Sequence, residues 1–468
     1  MSAPHEPAPT APVPVVSGPA GGGIWTARFI WVTIGAVAMI FLAAMQSLAI
    51  TTVMPVVVDD LGGAALYAVA FSGTLATSVI GMVVVGAWCD RSGPTLPLTS
   101  AVVLFVTGLL VAGSAPSMEV LVVGRLVQGL GIGGETVALY VVVARVYPSH
   151  LHGRVFAAFS AAWVVPSLIG PFLAGAVAEF LHWRWVFLGV AVLTALAFTM
   201  VALRLWGLPM RAEEPSSSRL ALRLVCAVLV AAGALGVSLA GEAGAYAWAL
   251  VAGSAVLVVA AIRPLLPRRT LRSGRGLPSV ILMRGLIAGA LFGAEIYVPY
   301  LLIADYGFSA TWAGLGLTAA AITWAVGAEV QGRIGDRLGN SRIVVGGTAL
   351  LTSALVVAVA TSLWHLHPGI LIGGWAFAGA GMGLMYPRLT VLTLAYSTTK
   401  NQGFNSAALS ISDAVGAATT IAVLGLVFTA VRAGEGSAFA AVFLVAGLLA
   451  VIALLPGLRM GHAHEARS

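Results

Sequence analysis

The sequence has few charged residues, which make up 9% of its 468 residues, against about 25% in an average soluble domain. Hydrophobic residues make up 59%, and the mean hydropathy is +1.00. So few charges cannot cover the surface of a soluble protein of this length, and apolar runs of about 20 residues recur along the chain. The composition therefore excludes a soluble globular protein and predicts an all-α integral membrane protein.

Cysteine is also scarce, since Cys89 and Cys226 are the only two. They lie too far apart in sequence for a metal-ligand spacing and form no disulfide framework. No histidine lies deep in an apolar run, and neither an HExxH nor a GxSxG motif occurs. The sequence thus lacks the motifs of metalloproteases and serine hydrolases, and we expect no metal, no cofactor and no enzymatic activity.

One glycine-rich stretch imitates a nucleotide-binding loop. Gly129–Gly134 satisfies the pattern GxGxxG, but no strand precedes it, and Glu135 places a negative charge where a phosphate site needs lysine. Small residues at close helix crossings explain the glycines better. Nucleotide binding is therefore not expected.

The basic residues alternate between loops along the chain. If the apolar runs span a bilayer, Arg184 and Arg432 fall on one side, Arg125 and Arg388 lie inside spans, and the other Lys and Arg residues fall on the second side. Short loops enriched in Lys and Arg stay in the cytoplasm. The formal charge of +7 is thus a topology signal rather than a sign of nucleic-acid binding. We expect an even number of spans in the cell membrane and both termini in the cytoplasm.

The apolar runs predict fourteen transmembrane helices: twelve core helices, 1 to 12, and a middle pair, A and B. In chain order they are 30–54, 66–88, 96–115, 118–146, 153–180, 184–206, then A at 220–241 and B at 246–263, then 279–303, 310–331, 343–363, 368–396, 403–431 and 437–458. The proline-rich start lacks the charged beginning and short apolar core of a cleavable signal. The predicted domains are a disordered cytoplasmic tail (1–27), a six-helix bundle (28–207), a linker with the two extra helices (208–278), a second six-helix bundle (279–458) and a cytoplasmic tail (459–468).

Two motif pairs indicate that the bundles are repeats of one another. The pattern G-x-x-x-D-R-x-G ends predicted helices 2 and 8, and a glycine ladder recurs in helices 4 and 10 at nearly the same offset. Parallel repeats of this kind are typical of transporters. The turn residues are Gly86, Asp90, Arg91 and Gly93 in the first copy and Gly332, Asp336, Arg337 and Gly339 in the second.

These motifs resemble those of the major facilitator superfamily. The first turn matches the family's motif between helices 2 and 3, and Arg125, Gln128 and Gly129 match its helix 4 motif. The family's helix 5 antiporter motif resembles Pro166, Gly170, Pro171 and Gly175, and the start of its helix 6 resembles 183–187. Fourteen spans are similar to its drug:proton antiporter group, although Gln46 stands in helix 1 where that group often has an Asp. The resemblance implies two bundles that rock about a central cavity, with the turn motifs acting as gates.

Ionisable side chains inside spans are costly, at least ~2.5–3.5 kcal/mol at the centre of the membrane, so they pair, line a cavity or do work. We interpret Glu295 as the foremost proton-coupling acid because it lies deep in predicted helix 7, close to Pro299, and desolvation favours the protonated form of a carboxylate. A structural carboxylate bonded to a neighbour is the alternative. The further candidates for coupling or for lining the cavity are Arg125, Glu135 and Asp413; Asp413 could equally make a polar contact between helices.

Two other intramembrane charges have simpler interpretations. Glu329 is expected to pair with Arg333 or Arg337, and Arg388 to extend its side chain to the interface. Aromatic residues could line a cavity for bulky substrates, and those considered are Tyr140, Trp163, Phe292, Tyr297 and Trp324.

The sequence as a whole predicts a proton-coupled secondary transporter that acts as a monomer and exports hydrophobic or amphipathic compounds, as in multidrug efflux and antibiotic resistance. Its expected partners are such a substrate, protons and the lipid bilayer. An exporter of a lipid or biosynthetic metabolite is the alternative on the same fold. A membrane receptor and an intramembrane enzyme are the alternatives from other classes.

Overall fold

A computed structural model describes residues 23–61, 66–205, 220–239, 246–308, 313, 317–433 and 437–460. The predicted tails fall largely outside this description. The described residues are helical throughout their regular structure and contain no strand. The first half of the chain forms α1 (Ile30–Leu61), α2 (Tyr67–Ser92), α3 (Thr95–Gly113), α4 (Met118–Val146), α5 (Ser149–Ala161), α6 (Val164–Phe180) and α7 (Arg184–Leu205).

The middle and the second half continue this all-helical pattern. The middle pair is α8 (Leu220–Leu239) and α9 (Ala247–Ile262), followed by two short 3₁₀ turns, Arg263–Leu265 and Thr270–Arg272. The second half contains α10 (Leu277–Glu295), α11 (Tyr297–Ala304), α12 (Thr318–Leu338), α13 (Asn340–Trp364), α14 (Pro368–Ala395), α15 (Gln402–Ala433), α16 (Ala438–Ile452) and α17 (Leu454–Leu458).

Ten helices of the described residues are long and apolar enough to cross a membrane, with α10 and α11 counted as one and α16 and α17 counted as one. The apolar stretches of α8 and α9 are shorter, α5 and α6 are each less than 18 residues long, and α12 carries charges in its last turns. The predicted count of fourteen spans is therefore not confirmed by length and composition.

Proline explains two breaks in helices that the sequence analysis treated as continuous. The prediction of one helix over 153–180 is wrong, because the chain leaves α5 at Ala161 and re-enters a helix at Val164. A proline ring clashes with the carbonyl four residues earlier and removes a backbone donor, and Pro166 acts in this way on residue 162. Pro299 acts in the same way on Glu295, so that α10 ends there and α11 begins at Tyr297.

The two turn motifs have the same backbone geometry. Gly93 ends α2 with φ 80°, and Gly339 ends α12 with φ 79°. Only glycine adopts this left-handed region without strain. Each motif therefore needs glycine at its last position for the same physical reason.

A pair of glycine contacts relates the two halves. Gly86 of α2 packs against Gly403 of α15, where an added Cβ would lie 2.7 Å from the Gly403 carbonyl oxygen; Gly332 of α12 packs against Gly153 of α5, where an added Cβ would lie 3.2 Å from the Gly153 carbonyl oxygen. The first contact joins predicted helix 2 to helix 11, and the second joins helix 8 to helix 5. In the repeat, helix 8 is the equivalent of helix 2, and helix 11 is the equivalent of helix 5. The packing thus supports the repeat that the motifs indicate.

Both turn motifs lie at one end of the molecule, which we name the turn face. Asp90 contacts the start of α15, and Arg145 at the end of α4 contacts the same segment. Only two residues separate α4 from α5, whose start packs against α12 beside Gly332. We name the opposite end, where Asp60 pairs with Arg184, the far face.

The middle pair packs outside the bundles. Helix α8 contacts α9, α2 and α15. It therefore covers the seam between the halves on the side where Gly86 meets Gly403. Cys226 of α8 and Cys89 of α2 are both buried and free, as the sequence indicated.

Candidate translocation site

A hydrogen-bonded latch closes the two halves at the turn face. The Asp90 carboxylate accepts hydrogen bonds from the backbone N–H groups of Gly403 (2.6 Å) and Phe404 (2.9 Å) in the first turn of α15. Arg145 donates to the backbone carbonyl of Thr399 at 3.2 Å and to the side-chain oxygen of Gln402 at 3.4 Å. An anion at a helix N-terminus satisfies unpaired donors and is favoured by the helix dipole. The turn acid of one half therefore caps a helix of the other half.

A buried ion pair lies further inside, within the second half. The Arg284 Nε of α10 donates to the Asp413 Oδ1 of α15 at 2.9 Å. The Arg284 Nη1 donates to the Tyr386 carbonyl at 3.0 Å and to the Thr390 hydroxyl at 3.2 Å. The Arg284 side chain is 5% exposed and the Asp413 side chain 27%, so the acid is the partner that a solute or proton can reach.

Two tyrosines complete this cluster. Tyr386 donates its hydroxyl to Asp413 Oδ1, and its ring lies 3.3 Å from the Arg284 guanidinium carbon. Tyr140 of α4 lies close enough to Arg284 and Asp413 to interact with them electrostatically. We name Tyr140, Arg284, Tyr386 and Asp413 the central cluster. Because Tyr140 belongs to the first half and the other three to the second, the central cluster joins the two halves.

An aromatic surface adjoins the central cluster. The Phe292 ring stacks on the Trp324 ring at 6.3 Å between centroids, and each meets the Tyr386 ring edge to face, at 6.4 Å and 5.2 Å. All three side chains are half-buried. A site lined by aromatic faces and one reachable carboxylate suits an amphipathic cation, since cations are attracted to aromatic faces.

Glu295 lies at the break between α10 and α11, one turn beyond Phe292. Its side chain is half-buried, and no hydrogen bond or ion pair of its carboxylate occurs among the described residues. The alternative in which Glu295 is a structural acid bonded to a neighbour therefore has no support in this part of the chain. Residues three apart share a helix face, so Glu295 lies on the same side of α10 as the aromatic surface.

The first half holds a second set of buried polar groups. Arg125 donates to the Ala70 carbonyl at 3.1 Å and to the Gln128 side-chain oxygen at 2.6 Å, and no carboxylate pairs with it among the described residues. Glu135 is 1% exposed, and both its oxygens lack hydrogen-bond partners among the described residues. Gln46 of α1 is equally buried, and its amide atoms also lack partners there. Since an unpaired buried carboxylate is very unfavourable, Glu135 is the first-half acid best suited to hold a proton.

The structure assembles only part of the predicted site. It brings Asp413 together with Arg284 and Tyr386. Among the described residues, no contact joins Glu295, Glu135 or Arg125 to this central cluster. The antiporter-motif residues Pro166 and Gly170 are buried in α6 and Gly175 is half-buried. The side chains of Pro171 and Asp336 lie outside the description, and Arg91 and Arg337 are exposed at the turn face.

Two interpretations of single charges have different outcomes. The expected pairing of Glu329 is confirmed, since it accepts a hydrogen bond from Arg333 at 2.6 Å. The expectation that Arg388 extends to the interface is wrong, because it is buried and donates to the Asn340 side chain at 2.8 Å. Among the predicted cavity aromatics, Tyr297 packs instead against Phe428, and Trp163 is exposed at the α5–α6 break.

The sequence analysis missed Arg284 and Tyr386. The sequence analysis counts Arg284 only among the basic residues of the cytoplasmic side, although it lies within the predicted span 279–303. A charge five residues inside an apolar run was the signal that could have identified it. Tyr386 carried no such signal, because a tyrosine in a span is more often packing or interfacial.

The long apolar helices of the two halves define a multi-pass membrane protein. The sequence profile described as Major Facilitator Superfamily matches residues 36–328 and again 280–466, and the chain belongs to this family. The family is one of membrane transporters and not of enzymes.

Three similar proteins illustrate the relationship. An uncharacterised MFS-type transporter of Mycobacterium tuberculosis is 28% identical over 410 residues, which are 83% of this chain; the chain spans only 58% of the length of that relative. A protein named "Probable multidrug-efflux transporter" from the same species is 27% identical over 428 residues, 88% of this chain and 90% of its own. The outward-facing crystal structure of a bacterial homologue of the iron transporter ferroportin superposes with a TM-score of 0.68 at 10% identity, over 92% of this chain and 98% of its own, and shows the shared fold.

Proposed function

We propose that the chain is a proton-coupled exporter of bulky amphipathic, preferably cationic, compounds that works by alternating access. The observation that carries this proposal is the central cluster with its adjoining aromatic surface. It combines a reachable acid, a buried cation and three aromatic rings at the junction of the halves. The similarity to a relative named for multidrug efflux supports the same substrate class.

The contacts between the halves suggest which state of the cycle the structure resembles. The Asp90 latch and the paired glycine contacts close the turn face. The basic loops favour a cytoplasmic turn face. On this basis the structure resembles an outward-facing state, and the reverse state requires the latch to open.

The central cluster offers a simple coupling between proton and substrate. The Asp413 carboxylate neutralises Arg284. When a proton binds Asp413, the Arg284 charge loses its counter-charge and repels a cation held against the aromatic surface. Proton uptake from the outer side would therefore expel a cationic substrate to that side.

Two further acids complete the proposed coupling. Glu295 is adjacent to the aromatic surface, and Glu135 is buried in the first half. Each is placed to exchange a proton when its half of the cavity hydrates. One charge moving through 100 mV supplies ~2.3 kcal/mol, which sustains a gradient of roughly 40-fold for a neutral substrate exchanged for one proton. A monovalent cation exchanged for one proton moves no net charge, so its export is driven by the pH gradient alone.

The proposed arrangement in the cell membrane has fourteen crossings. Four further crossings would be added to the ten long apolar helices. They are the broken pair α5–α6 counted as one, α12 with its charged last turns, α8 and α9. Both termini would then be cytoplasmic, and the two six-helix bundles would bound 28–207 and 279–458. The second profile match begins at residue 280, which supports this division. The proposed unit of transport is a monomer, since the central cluster lies within one chain.

The test is transport in proteoliposomes with an imposed pH gradient and a fluorescent lipophilic cation as the substrate. We expect accumulation that collapses when the pH gradient is dissipated and that Asp413→Asn abolishes. A sodium gradient of the same size, without a pH gradient, is the matched control. Transport driven by sodium alone, or unaltered transport by the Asp413→Asn variant, would overturn the proposal.

A further inference from the structure

Arg125 is a buried cation with neutral neighbours. Only 5% of the residue is exposed. Its Nε donates to the Ala70 carbonyl at 3.1 Å, and its Nη1 donates to the Gln128 side-chain oxygen at 2.6 Å. A guanidinium has five N–H groups and stays charged in proteins. Two neutral acceptors therefore leave its charge unbalanced, and three of its N–H groups have no acceptor among the described residues.

Among the described residues, no acid supplies the missing negative charge. Asp60 and Asp90 are bonded at opposite ends of the molecule. Glu135 lies ten residues along α4 from Arg125, about 15 Å away, and Glu295 of the other half makes no ion pair in the described part of the chain. The remaining acids of residues 28–207 are exposed, and they are Asp59, Glu119 and Glu179. A buried charge is costly unless it is paired, so this position favours a counter-ion from outside the chain.

The unused N–H groups of Arg125 border space that a small ion can reach. In the described part of the chain, the fully enclosed side-chain nitrogens and oxygens without a partner do not include those of Arg125. Ile132 and Thr136, seven and eleven residues further along α4, lie on the same side of the helix and are only half-buried. Arg125 is seven residues from Met118, where α4 begins at its far-face end, which is a distance of about 10 Å. An ion that enters from the far face therefore has a short path to the guanidinium.

We propose that Arg125 is a binding site for one small monovalent inorganic anion of the size of chloride. The anion accepts hydrogen bonds from the N–H groups that Ala70 and Gln128 leave unused, and these two neighbours fix the orientation of the guanidinium. A halide suits the site because a guanidinium is weakly hydrated and gives up its water readily. This role is separate from the proposed proton coupling at Asp413 and Glu295, and its test does not require transport.

The experiment follows thermal unfolding of the purified full chain in detergent while sodium gluconate is replaced by sodium chloride at constant ionic strength. A ligand that binds only the folded state raises the melting temperature by mass action. We therefore expect a saturable rise with chloride and a similar rise with bromide, whereas gluconate, a bulkier organic anion, is the reference. A melting temperature that does not respond to chloride, or a response that does not saturate, would overturn the proposal.

Two variants locate the site. Gln128→Glu places a carboxylate where an oxygen already lies 2.6 Å from the Arg125 Nη1, so it supplies the counter-charge from within the chain. In gluconate this variant should melt no lower than the wild type, and its affinity for chloride should fall by roughly tenfold or more.

Arg125→Gln removes the charge and should abolish the chloride response; where it does not fold, the Gln128→Glu variant still decides the question. Arg342→Gln, which changes an exposed basic residue in the first turn of α13, is the control and should respond to chloride like the wild type. A wild-type chloride response in Gln128→Glu or in Arg125→Gln, or a lost response in Arg342→Gln, would overturn the proposal.

Discussion

Asp90, near the end of α2, accepts a 2.6 Å hydrogen bond from the backbone N–H of Gly403, the second residue of α15. The two residues belong to opposite halves of the transporter. The acid of the turn motif thus caps a helix in the other bundle. Its role in gating follows from an ordinary property of helix N-termini, which bind anions through unpaired N–H groups.

Replacing this acid should loosen the turn face. In Asp90→Asn the charge is lost and one acceptor oxygen becomes a donor, which should cost about 1 kcal/mol of latch stability and raise the open population by about fivefold. The measurement is thiol labelling of a cysteine introduced at Gly153, where an added Cβ would meet only ordinary contacts, in a chain without Cys89 and Cys226. Asp59→Asn at the far face is the control, and labelling at the wild-type rate would contradict the latch.

Breaking the ion pair should destabilise the protein. Asp413→Asn leaves Arg284 buried without a counter-charge, and removing one partner of a buried pair costs about 3–5 kcal/mol. We expect a large loss of thermal stability in detergent. The double variant Arg284→Gln with Asp413→Asn should regain much of that stability but no transport. An Asp413→Asn protein that melts with the wild type would show that the pair is not stabilising.

Neutralising Glu295 should separate coupling from binding. We expect Glu295→Gln to retain substrate binding and to lose pH-driven transport, because the variant cannot exchange a proton. The measurements are equilibrium binding of a fluorescent cation and its uptake in proteoliposomes. Glu329→Gln is the matched control, since that acid is exposed and paired with Arg333. Full pH-driven uptake by Glu295→Gln would remove Glu295 from the coupling machinery.

The aromatic surface should determine affinity for cations. Trp324→Ala removes a ring that packs on both Phe292 and Tyr386, and a cation–π contact contributes about 0.5–2 kcal/mol. We therefore expect cation binding to weaken by roughly 2- to 30-fold. Trp324→Phe should preserve most of the affinity, and Trp364→Ala, at a residue 70% exposed, should preserve all of it. Equal losses in the two alanine variants would argue against a specific surface.

The stability that Asp60 contributes at the far face should depend on pH. Asp60 accepts hydrogen bonds from the Trp183 indole N–H at 2.9 Å and from Arg184 at 3.2 Å, and these partners, Trp183 first, hold the pKa of Asp60 below its ordinary value. A lowered pKa stabilises the fold at pH values above the ordinary value near 3.8, and this contribution disappears as the pH falls through the folded-state pKa. Melting curves should therefore separate wild type from Asp60→Asn at pH 6 and converge in acid.

The Asp59→Asn variant serves as the control for that comparison, since Asp59 is the exposed neighbour of Asp60. A difference between wild type and Asp60→Asn that persists unchanged in acid would show that the Asp60 charge is not responsible.

The sequence predicted the fold better than the site. Apolar runs and the repeated turn motif are properties of the chain itself, so they indicated the helices and the duplication. Which side chains pair between segments that are distant in sequence cannot be read from the apolar runs or from the motifs. Asp413 was recognised as a buried acid, but its partner Arg284 resembled a loop cation, and Tyr386 resembled packing. The break after Ala161 was also not predicted, although Pro166 carries its signal, since a proline ring disfavours a continuous helix through the residue four positions earlier.

The glycine contacts at the turn face have an energetic consequence. Where Gly86 touches Gly403 and Gly332 touches Gly153, the helix backbones of the two halves approach each other closely. A Cβ at Gly86 would lie 2.7 Å from a backbone oxygen of the other half, and a Cβ at Gly403 would lie closer still, so a larger residue at either position would hold the helices apart. The hydrogen side chains of these glycines therefore set how tightly this end of the molecule can shut, and shutting it with any larger residue would cost free energy.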